Sequence, residues 1–79
     1  RPLLTPGPLR TLSFIALRQP VTQAYVVRVR GKLAYTHVKQ LRGMDLITDE
    51  KIGRTRMLKT STTFADYFNL SHDVPIMKR

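Results

Sequence analysis

The chain has no cysteine among its 79 residues, which excludes a disulfide scaffold, a zinc ribbon and a thiol nucleophile. No uninterrupted apolar run approaches the roughly 20 residues of a membrane span, and the opening Arg-Pro-Leu-Leu-Thr-Pro-Gly-Pro lacks the apolar stretch of a signal peptide. Catalytic and metal-binding groups are also scarce. The two histidines, His37 and His72, stand 35 positions apart with no cysteine beside either. Asp49 and Glu50 form the only adjacent acid pair, at an expected hairpin tip, whereas acid/base chemistry needs a walled cleft. Pro6-Gly7-Pro8 offers too few free N–H groups to cradle a phosphate, and Asn69-Leu70-Ser71 matches a glycosylation sequon by chance. These absences describe a reduced, cytoplasmic, non-enzymatic protein with no cofactor and no metal. Its length fits one small domain, or a piece of a longer chain, stabilised by apolar packing.

Acidic residues are few, and they are unevenly placed. Residues 1–40 hold seven Lys/Arg and no acid, whereas residues 41–79 hold seven Lys/Arg against all five acids. The resulting net charge of +9 suits nucleic acid, an anionic membrane or an acidic protein partner. Charge alone does not choose among them.

The local patterns are clearer. Thr5 before Pro6-Gly7-Pro8 predicts a helix over 6–18, because prolines in a first turn remove only N–H groups that have no helical partner. Leu9, Leu12 and Ala16 then share one face, with Leu17 close by and Arg10, Thr11 and Arg18 opposite. Phe14 falls on the arginine side, either beneath a neighbouring segment or exposed for a partner. Gln19-Pro20 ends the helix, Thr22 is expected to cap a second one running to Arg30, and Gly31 to close it. A third helix over 33–42 should bury Val38 and Leu41 and end at Gly43. The period then changes to strand, turn, strand: 46–48, a turn over 49–53 with Gly53 at positive φ, and 54–60. Met57 and Leu58 are adjacent and must face opposite ways, which leaves the register open. Thr63 and Asp66 fit a capping box for a last helix, with Phe64, Tyr67 and Phe68 as its apolar stripe. The fold class that follows is α+β, a winged helix-turn-helix of three helices, a β-hairpin wing and a closing helix. It spans 1–70 as a single domain, with 71–79 as a flexible C-terminal tail.

Residues 4–22 resemble the start of the second winged helix of the segregation and condensation protein B (ScpB) family, most distinctively in Ile15-Ala16 and Arg18-Gln19-Pro20-Val21-Thr22. In the same register come Arg30-Gly31, Lys39, Leu41 and Leu46-Ile47. Gly53-Arg54, Thr60-Ser61 and Phe64-Ala65-Asp66-Tyr67-Phe68-Asn69-Leu70 are similar to the family's G-R and its F-L-E-Y-F-G-L ending. Two stretches depart from the pattern: Tyr25-Val26-Val27 stands where Glu-Ile-Glu is usual, and 33–36 replace an Asn-Ser-Asp-Gly entry to the third helix. The resemblance implies a non-enzymatic subunit of the prokaryotic Smc–kleisin complex, condensin-like, which binds the kleisin ScpA, and through it Smc, in chromosome condensation, segregation and the cell cycle. It also implies a nucleoid-associated location. Dimerisation would reside in an additional N-terminal winged helix, leaving this piece monomeric and unconnected with membranes.

Two sets of candidate residues follow. Kleisin clasping needs an apolar groove with flanks that suit an acidic partner, for which Arg10, Phe14, Arg18, Tyr25 and Val27 are the candidates. The alternative, a winged-helix DNA-binding transcriptional regulator, would use the third helix and the wing. Its candidates are Tyr35, Thr36, Lys39, Gln40 and Arg42 on or near the helix, and Arg54, Arg56 and Lys59 on the wing strand. Weak nonspecific DNA affinity is compatible with both readings.

Overall fold

The computed structural model describes residues 4–71, with side chains through Asp66. In chain order the elements are α1 (Pro6–Arg18), β1 (Val21–Thr22), α2 (Gln23–Arg30), α3 (Leu33–Gly43), β2 (Ile47–Ile52), β3 (Thr55–Thr60) and α4 (Thr62–Ser71). The strands form one antiparallel sheet in the order β1-β3-β2. This is an α+β winged-helix fold, as the sequence patterns imply. The tail expected over 71–79 begins no earlier than the end of α4, since Ser71 is helical; 72–79 lie outside the described residues, as do the side chains of Tyr67 and Phe68.

The core lies where α1, α2 and α3 meet the sheet. Leu12, Ile15, Val26, Val38, Leu41 and Leu58 are almost completely inaccessible to solvent, and Leu46, Ile47 and Phe64 close its edge. At about 25 cal/mol per Å² of apolar surface, this burial is the main force holding so small a fold together. α1 presents a different face to it than expected. Pro8, Thr11, Leu12 and Ile15 point inward, Leu9 and Ala16 are half-buried, and Leu17 is 59% exposed. The helix is turned toward Thr11 because a polar group can be buried when its hydrogen bonds are made. The Thr11 hydroxyl accepts from Arg30 Nε at 3.2 Å and shares a 2.8 Å hydrogen bond with His37 Nδ1, tying α1 to α2 and α3. Gly7 lets His37 approach: a Cβ there would lie 3.0 Å from its Nε2.

Several local expectations are corrected. Thr5 occupies the cap position of α1, but its side chain makes no cap bond; its carbonyl accepts from Leu9 N at 3.0 Å. α3 includes Gly43, and the left-handed residue that closes it is Asp45 (φ 62), a residue type that tolerates this region. The wing turn is only Gly53-Arg54, because β2 continues through Asp49-Glu50 to Ile52, which pairs with Thr55 across a two-residue connection. The last helix is capped by Ser61, whose Oγ accepts from Phe64 N at 3.2 Å. Thr63 instead donates to Asp45 Oδ2 at 2.8 Å, which pins α4 to the end of α3. The strand β1 was not anticipated. Two residues carry no periodic signal, and Val21 and Thr22 become a strand only by pairing with Leu58 and Met57 of β3.

Candidate functional site

The Arg18-Gln19-Pro20-Val21-Thr22 run has a compact structural meaning. Gln19 donates from Nε2 to the Ala16 carbonyl at 3.2 Å, while its Oε1 accepts from both the backbone N–H and the hydroxyl of Thr60, each at 2.9 Å. One amide thus joins the end of α1 to the end of β3. The Gln19–Pro20 bond is cis, Val21 is buried against the sheet, and Thr22 Oγ1 caps α2 by accepting from Tyr25 N at 3.1 Å. The motif fixes the junction of helix, strand and helix, and its two ends reach the outer faces: Arg18 borders the groove along α1, and Thr22 lines a recess beside β3.

The first face is a groove of about 770 Å³ along α1, floored by Leu4, Leu9, Phe14 and Leu17 and rimmed by Arg10, Arg18 and Arg30. Phe14 is half-buried, stacks on Tyr25 with ring centroids 6.0 Å apart, and carries the Arg18 guanidinium 5.1 Å from its ring centroid. Arg10, Phe14 and Arg18 therefore meet at one groove, with Tyr25 abutting it through the stack. Val27 does not line this groove; it is partly buried against the core. Leu17 and Arg30 belong to the groove and were missed, because the helical wheel put Leu17 beside the core face and Arg30 at a helix end. Among the described residues no acid lines this groove.

The second face combines α3 with the wing. Tyr35, Thr36, Lys39, Gln40, Arg42, Arg54, Arg56 and Lys59 are all exposed, yet the ladder divides them. Residues paired across antiparallel strands share a side of the sheet, and the sides alternate. Asp49 and Lys51 therefore lie on the side of Leu58 and Arg56, whereas Lys59 lies with Thr48 on the opposite side. Between α2, the start of α3 and β3 is a recess of about 390 Å³ lined by Thr22, Gln23, Tyr35, Arg54 and Arg56. Asp49 is not a solvated tip residue. Its Oδ2 accepts from Arg42 Nη1 at 2.7 Å and from Arg56 Nη1 at 2.6 Å, and its side chain is only 13% exposed. Burial alone would raise this carboxyl, but the hydrogen bonds and charges of Arg42 and Arg56 outweigh burial and hold it below its usual range. Sequence spacing gave no signal of this three-way contact, since it depends on the wing folding over the end of α3.

Among the described residues there is no cluster of His, Asp or Glu able to hold a metal, and no helix is long and apolar enough to cross a membrane. A family model described as segregation and condensation complex subunit ScpB matches residues 1–77. Segregation and condensation protein B of Streptococcus pneumoniae strain Hungary19A-6 is 31% identical over 80 residues, covering 94% of this chain and 42% of the relative, and the protein from strain R6 matches to the same degree. The chain thus spans about two fifths of the length of the curated relatives it matches. With the match running through the Gln19–Thr60 junction and the winged-helix core around it, the chain belongs to the segregation and condensation complex subunit ScpB family.

Proposed function

We propose that the chain is a single winged-helix module, over residues 1–70, of a prokaryotic Smc–kleisin complex, and that its groove along α1 holds a segment of the kleisin ScpA. It acts as a scaffold, with no catalytic step, and through ScpA it joins Smc in chromosome condensation and segregation at the nucleoid, in the cytoplasm. Taken alone it is a monomer, the family's dimer contacts being attributed to another winged helix. The observation that carries this reading is the outward placement of Phe14 and Leu17 on a helix whose other side already supplies the core. An exposed Leu17 beside a half-buried Phe14, in a groove with a basic rim, suits an amphipathic segment bearing carboxylates.

Leu17 gives the cleaner test. Phe14 packs partly on the core, so truncating it also perturbs the fold, whereas Leu17 is mostly exposed. In a titration with a kleisin middle-segment peptide, Leu17→Ser should weaken binding by about 1 to 2 kcal/mol and Phe14→Ala by about 1 to 3, with little dependence on salt. Circular dichroism of Leu17→Ser should be unchanged. Peptide binding indifferent to both substitutions would reject the groove as the clasping site.

A further inference from the structure

The face made by α3 and the wing has a chemistry unlike that of the α1 groove. Its recess is lined by hydroxyl, amide and guanidinium groups: Thr22, Gln23, Tyr35, Arg54 and Arg56. Lys39 stands exposed on α3 one helical turn beyond Tyr35, and Lys51 pairs with Arg56 across the ladder on the same side of the sheet. Such a surface offers a peptide no deep apolar anchor but offers an extended polyanion several donors in a row. We infer that this face binds the phosphate backbone of duplex DNA without reading its sequence, and that Asp49 limits the strength of binding by holding Arg42 and Arg56. This inference does not depend on kleisin binding, which uses the opposite chemistry on another face.

Two observations determine the mode. Base reading needs a bidentate Arg, Asn or Gln, placed toward the N-terminal part of the helix that enters the major groove. The N-terminal part of α3 instead carries Leu33, Tyr35 and Thr36, and its one arginine, Arg42, is at the far end in the ion pair with Asp49. Phosphate contacts therefore remain, and base contacts largely do not. Among the described residues Lys39, Lys51 and Arg54 make no ion pair, so three cations are available at once and two more are held back by a single carboxylate.

The test is a titration of the chain with short random-sequence duplexes over a range of salt. Each phosphate neutralised contributes about −0.9 to the slope of log K against log salt, so three contacts give about −3. Asp49→Asn should tighten binding several-fold and steepen the slope to about −4 to −5, as Arg42 and Arg56 become free. Lys51→Ala and Lys59→Ala remove the same charge from opposite sides of the wing. Only Lys51→Ala should weaken binding and make the slope shallower by about 1. Equal losses in the two variants would mean diffuse attraction to a cationic protein and would overturn the site. So would a strong preference for one duplex sequence, or equally tight binding of a polyglutamate peptide that competes with the duplex. Thermal melts of each variant, run first, restrict the comparison to folded protein, and Lys39→Ala, on α3, provides a second variant expected to lose about one contact.

Discussion

At the scale of single residues, most of the structure is held by side chains that serve as joints between elements. Thr11 is buried and polar, and it is tolerated because Arg30 and His37 satisfy its hydroxyl. Gln19 spends both ends of its amide on the α1–β3 junction. Thr22 serves twice, in the ladder with Met57 and as the cap of α2. Replacing it by alanine leaves the Tyr25 amide without its acceptor at the start of a helix, where dipole and orphan N–H groups both favour an oxygen. Thr22→Ala should therefore lower stability by about 1 kcal/mol in a urea titration, with the midpoint shifting and the slope unchanged. An unchanged midpoint would mean that solvent replaces the cap at no cost.

At the scale of elements, β3 is the piece on which the others depend. It is the central strand, paired on one side with β1 and on the other with β2, and its Leu58 is completely buried beneath the helices. Because strand side chains alternate, Leu58 facing the core forces Met57 and Lys59 to the other side and brings Arg56 round with Leu58. Leu58→Ala would leave a cavity at the meeting point of the sheet with α1 and α2. The expected loss is about 2 to 5 kcal/mol, read as a lower midpoint in chemical unfolding. A fold this small, with a total stability of order 5 kcal/mol, should be largely unfolded by it at physiological temperature. Far-UV circular dichroism would show this directly, and retention of native signal with a midpoint near that of the parent would mean that the core closes over the gap.

At the scale of the whole molecule, a net charge of +9 sets the balance between solubility, self-repulsion and attraction to polyanions. Asp49 acts on that balance from the seam between α3 and the wing. Its folded carboxyl titrates below its unfolded value, so the pair's contribution is complete at neutral pH and is lost as pH falls through the carboxylate range. The arginines it holds are 43% and 45% exposed, and screening keeps this contribution below about 1 kcal/mol. Asp49→Asn should accordingly show a flatter stability profile than the parent below about pH 4.5, and a nearly equal one in high salt. Parallel profiles for the two proteins at low salt would show that the pair contributes nothing measurable to folding.

The order of the helices, the helix-turn-helix and the two-stranded wing follow from the sequence alone, because each rests on a local signal. Pro6 and Pro8 start α1, Thr22 and Gly31 bracket α2, and Gly53 adopts the positive φ that the hairpin requires. The family resemblance was legible for a related reason: Gln19, Pro20 and Thr22 are adjacent in the chain and act together at one junction. Phe14, Arg10 and Arg18 could be nominated for the same groove because helix geometry places i and i+4 side by side. What tertiary structure alone decided are the contacts between residues distant in sequence. The rotation of α1 that buries Thr11 and exposes Leu17 depends on Arg30 and His37, which lie 19 and 26 positions away. The short strand β1 exists only because β3 presents an edge to it. The division of the basic residues into an α3-facing set with Arg56 and an outward Lys59 is a matter of register, where one position reverses every side chain. Asp49 reads in sequence as a mobile hairpin acid and becomes a clamp on two arginines only when the wing folds back against the end of α3. Local propensity acts over a few residues, whereas these decisions belong to packing and pairing, which no short window of sequence contains.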